Sequence, residues 1–185
     1  NCVEALQPGS LEPMAAQALR PAVGAVGALL LYPDRTLQHG GLVVGLDGHA
    51  EHAYRGLQLH HGVHRGRSQL LSRWDALTGA CLMMQKALLV KLGGFDEGLP
   101  VEGNGMDLCL RLEQLGYRQV IPPEARLLHH ESQSRDARAR ATEASAVRRL
   151  QQRWGRRLQS PGPCWPLQAD AVHPDGRPKG LEEFP

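Results

Sequence analysis

Apolar residues gather along this chain in short runs separated by turn signals. The longest run, Ala22 to Tyr32, is nearly continuous and has the length of a strand buried on both faces. Pro33-Asp34-Arg35-Thr36 supplies a turn, and Leu37 to Leu46 continues as a second strand with Gly40-Gly41 inside it. A glycine pair within a strand marks a bulge or the close approach of a ligand. Ala76 to Met84 reads as a further strand, interrupted by the small residues Thr78-Gly79-Ala80, which let something approach the backbone. Lys86 to Leu92 is a short amphipathic helix stopped by Gly93 and Gly94.

The stretch from Gly93 to Arg118, GGFDEGLPVEGNGMDLCLRLEQLGYR, packs a helix stop, an acidic loop, a helix and a strand entry into one run. Asn104 is suited to the N-cap, and Asp107 three residues on can reach back as in a capping box. Leu108, Leu112 and Leu115 fall at i, i+4 and i+7 and so share one buried face. Gly116 can take the left-handed conformation that ends the helix, with Tyr117 opening the next extended segment. A polar, Gly-rich loop feeding a helix N-terminus is a place for chemistry, because the N–H groups and dipole there favour anions.

The remainder reads as follows. Residues 1–9 are a strand end and its turn, and Ser10 caps a short helix from Leu11 to Leu19 with Pro13 in its first turn. Asp47 to Asp75 is the least regular part and carries His49, His52, His60, His61 and His64. Their spacing matches no common zinc pattern, and they read as solvent-exposed loop histidines. Arg118 to Ile121 is a strand stopped by Pro122-Pro123, and Ala125 to His129 is another. Ser132 or Ser134 then caps a helix running to about Arg157, with Val147, Leu150, Trp154 and Leu158 as its apolar stripe. From residue 159 the chain is rich in proline and short of periodicity, so 1–158 is read as the domain and 159–185 as a loosely ordered tail.

Composition adds bounds. The chain has 185 residues, enough for one domain with a real core, with 42% hydrophobic and 22% charged residues. A net charge of +2 calls for no polyanionic partner. The basic helix, with its core-facing stripe, reads as a solvated arginine face, so no nucleic acid is expected. No run approaches the ~20 apolar residues of a membrane span. No signal peptide is visible, although the chain opens in mid-motif. The four cysteines form no CxxC pair, and Cys81 and Cys109 sit in apolar patterns, which fits a reducing cytoplasm.

Four phrases, in order, carry a resemblance: VGAVGALLLYPDRTLQHGGLVVGLDG (Val23–Gly48), LTGACLMM (Leu77–Met84), GGFDE with DLCLRLEQLGYR, and LLHHESQSR (Leu127–Arg135). Together they resemble the family 2 glycosyltransferases of the GT-A fold, closest to the rhamnosyltransferase-like enzymes of O-antigen and surface-polysaccharide biosynthesis. The resemblance implies an α/β fold with a mixed sheet flanked by helices, corresponding to the acceptor-binding half, with the nucleotide-binding first half absent from this chain. It implies inverting transfer of a sugar from a nucleotide-diphosphate donor to a glycan or lipid-linked glycan. That places the work in the cytoplasm, at the inner face of the membrane if the protein associates peripherally.

The chemistry needs a base for the acceptor hydroxyl and neutralisation of the leaving diphosphate, which in the family falls to a divalent Mg or Mn ion. By resemblance, Cys2 stands where the family has its metal-binding Asp, and a thiol suits these oxygen-seeking ions poorly. His129 and His130 match the family's histidine position for metal or phosphate, and strand alternation sends one inward and one outward. Gly105 stands at the base position. The nearest carboxylates are Asp107, which also reads as a helix cap, and Glu102, which also reads as a solvated loop acid. Gly105→Asp is therefore expected to restore a base without unfolding the helix. Trp74, Thr78, Gly79, Ala80, Asp96 and Glu97 are the acceptor-side candidates, each with a structural alternative in the core or in a turn. The competing function is a catalytically degenerate glycan-binding or scaffolding module.

Overall fold

The computed structural model describes residues 2–46, 48–60, 66–99, 103–130 and 138–165, with the backbone alone for 138–143. Glu102, His61, His64, the helix-capping serines Ser132 and Ser134, and residues 166–185 lie outside the described residues.

The long apolar run divides at Ala28 into β2 (Val23–Gly27) and β3 (Leu29–Leu31), and each half heads a different sheet. One four-stranded sheet has the order β1 (Val3–Ala5), β10 (Arg126–His129), β3 and β4 (Leu37–His39). The other has the order β7 (Ser72–Trp74), β9 (Arg118–Ile121), β2 and β8 (Leu82–Met83). β10 runs parallel to β3 and β9 parallel to β2, with antiparallel strands outside them, so the sheets are mixed. β5 (Leu42–Leu46) pairs with β6 (His49–His52) in a hairpin. The helices are α1 (Glu12–Ala18), α2 (Lys86–Lys91), α3 (Asn104–Gln114) and α4 (Arg138–Trp154). The sheets are thus buried on both sides: Leu29 and Leu31 enter the larger core with α3 and α4, and Leu30 enters a smaller one under α1 with Met14 and Ala18.

Several local expectations change. Leu37–Leu46 is two strands, because Gly41 adopts φ 124 and breaks the run. What approaches that glycine is the Trp74 ring, whose atoms stand 2.0 Å from where a Cβ would be. Of Ala76–Met84, only Leu82–Met83 is strand. The histidine-bearing stretch holds β6 and β7, so His49 and His52 are strand residues. Ser10 does not cap α1; its hydroxyl donates to Gln7 O at 2.8 Å, and the N-cap residue is Leu11. Cys109 is buried, which pushes its thiol up to about 12, and it is an inert core residue.

α4 docks by Ala146, Leu150, Trp154 and Leu158, spaced four apart. Val147, expected in that stripe, is 46% exposed, since the true seam lies one residue earlier. The seam extends past the helix. Leu158 and Trp165 are buried, and the Trp165 ring lies 5.8 Å from that of Tyr54. Arg157 pairs with buried Asp75 at 3.1 Å and donates to Val44 O at 3.0 Å, while Arg67 donates to Cys164 O at 2.6 Å. Beyond the expected domain end at 158, the chain is tied back to the core at Cys164 O and Trp165, while Gln159, Ser160 and Pro163 are exposed. Because Trp154 is buried and its indole N–H is bonded, Trp154→Ala is expected to cost about 3–5 kcal/mol in a denaturant titration.

Candidate functional site

Antiparallel pairing of β1 with β10 sets Val3 opposite His129, and the His130 N–H donates to Cys2 O at 2.9 Å. Cys2 and the two histidines therefore share one strand end, with the Cys2 residue exposed. The histidines part ways there. His129 Nδ1 lies 2.5 Å from Gln38 Oε1 on β4, whereas His130 Nε2 lies 3.3 Å from Glu4 Oε2 at the exposed edge.

From His129 a polar network runs inward that the sequence reading passed over. His52 Nδ1 is 3.1 Å from both Gln38 O and His39 Nδ1, and the Thr78 N–H points at His39 Nε2 at 3.5 Å. His39 is wholly buried. Burial first, then the neighbouring His52 and His129, hold its imidazole well below the ordinary value, so it is neutral. The available signal was two polar residues, Gln38-His39, sitting inside an apolar strand pattern, where each needs a partner. The sign of the pH effect follows. The unfolded chain takes up the His39 proton near 6.5 and the folded chain only well below that, so falling pH favours unfolding through that window. The melting temperature is expected to drop as pH goes from 7 towards about 5, and His39→Gln, which takes up no proton in either state, should flatten that part of the drop.

The network ends at Thr78, in the segment that packs against the first turn of α3. Its N-cap is Gly103 at φ 75, and no side chain caps it, so the capping box of Asn104 and Asp107 does not form. Asn104 is the first helical residue, and its Oδ1 stands 2.7 Å from where a Gly79 Cβ would be. Gly105 faces the same segment. A Cβ there would lie 2.6 Å from Gly79 N and 2.7 Å from Leu77 O. Two glycines thus let the helix turn and the 77–79 backbone touch, which is why the segment is neither strand nor helix. Gly79 itself remains exposed, so this junction opens to solvent.

Asp107 points the other way, into the core. It is wholly buried: Arg111 Nε donates to its Oδ2 at 2.8 Å, and Trp154 Nε1 and an Arg153 guanidinium nitrogen reach its Oδ1 at 2.9 and 3.0 Å. Arg111 also donates to Leu92 O and Gly94 O, both at 2.9 Å, tying the end of α2 to the cluster. On the same helix Leu108 and Leu112 are buried, but Leu115, expected on that face, is the C-cap residue and 53% exposed.

Of the acceptor-side candidates, Thr78, Gly79 and Ala80 lie at the open junction, with Thr78 Oγ1 accepting from the Ala80 N–H at 3.3 Å. Trp74 does not. It is buried, with its N–H donated to Ser72 Oγ at 2.8 Å and the Arg67 guanidinium 3.8 Å from the ring centre, so no ring face is left for a sugar. Asp96 is a docking residue for α4. Its carboxylate receives Arg149 at 2.8 Å and Arg153 at 3.2 Å, and the Arg149 hydrogen bond holds its pKa below the usual carboxylate value. Glu97 is exposed.

The strand-end residues do not fit a hard divalent ion. Among the described residues no group of three or more His, Cys, Asp or Glu is gathered closely enough to hold a metal. Cys2 offers sulfur where Mg and Mn take oxygen.

No protein-family model matches the chain. It is 41% identical over 142 residues to the O-antigen biosynthesis protein RfbC of Myxococcus xanthus, covering 75% of this chain and 11% of that protein. It is 43% identical over 137 residues to the uncharacterized protein y4gI of Sinorhizobium fredii, covering 72% of this chain and 15% of that one. Over 58 residues it is 36% identical to an N-acetylglucosaminyl-diphospho-decaprenol L-rhamnosyltransferase of Mycobacterium tuberculosis, covering 31% of this chain and 19% of that one. The chain thus spans a small part of the length of these relatives. In fold it is similar to a crystal structure of GalNAc-T7 with UDP, GalNAc and Mn2+, with a TM-score of 0.55 at 16% identity, covering 80% of this chain and 30% of that one. Relatives and fold thus agree with the resemblance carried by the motifs: the chain is similar in sequence to proteins named for O-antigen biosynthesis and rhamnosyl transfer, and in fold to a GT-A glycosyltransferase.

Proposed function

We propose that the chain is the acceptor-side part of an inverting glycosyltransferase that moves a sugar from a nucleotide-diphosphate donor to a glycan or lipid-linked glycan, at the inner face of the membrane. One observation carries this reading. The strand end bearing Cys2 and His130, where the leaving diphosphate belongs by resemblance, is linked through His129, Gln38, His52 and His39 to Thr78 at the junction with α3. An acceptor lying over Gly79 meets bare backbone on one side and the N-terminal turn of α3 on the other. The acceptor hydroxyl would attack the anomeric carbon as the diphosphate leaves, with His130 at the exposed edge as the nearest group able to donate to a phosphate oxygen. No base is assigned among the described residues, since Gly105 has no side chain and Asp107 is committed to three donors. The divalent ion of the family would need oxygen ligands beyond those described. Among the described residues no helix is long and apolar enough to cross a membrane.

A second reading, a glycan-binding or scaffolding module that has lost the chemistry, is favoured by that same commitment of Asp107 and by Cys2. Two measurements separate the readings. The full-length protein is assayed for sugar transfer from UDP, dTDP and GDP sugars with Mn2+, and the 185-residue chain is titrated calorimetrically with the same donors. Turnover by the full-length protein, with binding to the chain weaker than micromolar, supports the first reading. Absence of turnover with retained glycan binding supports the second. Micromolar donor binding to the chain alone overturns the acceptor-side assignment.

A further inference from the structure

Between the end of β1 (Leu6, Gln7), the start of β10 (Arg126) and the turn from β3 to β4 (Arg35) lies a cavity of about 550 Å³. That size suits a single sugar or a comparable small molecule. Its lining combines apolar Leu6, Leu31 and Leu59 with polar Gln7, and its charged residues are Arg35, Arg126 and Glu124, of which Arg35 and Glu124 are exposed at the rim. The lining therefore has two positive charges and one negative. Arg126 uses its Nε to donate to Pro123 O at 2.8 Å, which orients the guanidinium. Arg35 is held in a conformation that side chains rarely adopt, φ 71. The turn that enforces it is locked on both sides. Asp34 Oδ1 accepts from the Thr36 N–H at 2.9 Å and its hydroxyl at 2.7 Å, and the Arg35 N–H donates to Tyr32 O at 2.9 Å. The Thr36 hydroxyl, and then its N–H, keep the Asp34 pKa low, so the lock persists at neutral pH. A glycine at position 35 would satisfy this turn without strain, so the arginine stands against the local backbone preference.

We propose that this cavity is a binding subsite for an acidic sugar residue, one carrying a carboxylate on a polyhydroxylated ring. The excess of one positive charge suits a monoanion, and a guanidinium is the side chain whose fork matches a carboxylate. Glu124 accepts from ring hydroxyls and opposes a second negative charge. The three leucines receive the C–H face of the ring. The subsite stands apart from the junction at Gly79, and if the proposed transfer function holds, it would engage an acidic residue of the acceptor glycan.

The test needs no transfer activity, so it stands or fails separately from the proposed function. The chain is titrated with glucuronate, glucose and inorganic phosphate by ligand-observed NMR. Glucuronate is expected to bind at least about tenfold tighter than glucose, the worth of one charge-assisted contact. Arg35→Gly is expected to lose that preference while the melting temperature stays level or rises, because it relieves the strained turn. Arg126→Gln should weaken glucuronate binding by a similar factor. Equal binding of glucose and glucuronate, no saturable binding of either, or wild-type affinity in Arg35→Gly would each overturn the proposal. Phosphate binding as tightly as glucuronate would overturn its saccharide part, marking a bare anion site.

Discussion

Asp107→Asn is expected to destabilise the domain by about 3–5 kcal/mol, the usual cost of removing one partner from a buried charge cluster. The amide removes the charge that both guanidiniums face, and one of its two heads can only donate where Asp107 accepted. Arg111 and Arg153 are then left with uncompensated charge, and Arg111 also holds the end of α2 through Leu92 O and Gly94 O. The loss should appear as a lower denaturation midpoint and as loosening of α4, read by fluorescence of Trp154 and Trp165. A base would behave differently. Its removal would lower turnover by roughly 10²–10⁴ at unchanged stability. An Asp107→Asn protein as stable as wild type but without turnover would restore Asp107 as the base. The pair Asp107→Asn and Trp154→Ala should be far from additive, since the two side chains share the 2.9 Å hydrogen bond.

The second large effect is expected at Gly105. Read from the sequence, Gly105→Asp restores a base at a tolerant first helical turn. The packing reverses that expectation. The first side-chain atom alone would sit 2.6 Å from Gly79 N, 2.7 Å from Leu77 O and 3.1 Å from Thr78 C, all main-chain atoms that cannot swing aside. Overpacking of this kind costs about 1–3 kcal/mol or more, and a carboxylate pressed against a carbonyl oxygen adds repulsion. The variant should melt well below wild type and gain no transfer activity in the full-length protein, and Gly105→Ala should show the steric part of the loss alone. A Gly105→Asp protein with wild-type melting and raised turnover would mean that the 77–79 segment yields to a side chain at this position.

Both cases show where sequence reading stops. Much of the helix and strand content was legible because it depends on local periodicity and punctuation: Ala22–Tyr32 as buried extended chain, though it divides at Ala28 between two sheets, Gly116 as a left-handed stop at φ 84, Pro122-Pro123 as a strand end, and four ordered phrases carrying the resemblance. The seam of α4 was legible to within one residue, since a stripe of Val147, Leu150 and Trp154 differs from Ala146, Leu150 and Trp154 by a rotation that only the docking surface selects. The partners of polar groups were not legible. Asp107 meets Arg153 and Trp154 across more than forty positions, His39 meets His52 and Thr78, and Trp74 lies on Gly41, and none of these follows from neighbours in the chain. A buried polar or aromatic group takes its role from whatever the fold brings within about 3–4 Å of it. The sequence by itself therefore determined most of the helices, the central strands and the resemblance. Only the tertiary structure decided that Asp107 is a strut, that Trp74 is core, and that Gly105 leaves no room for a base.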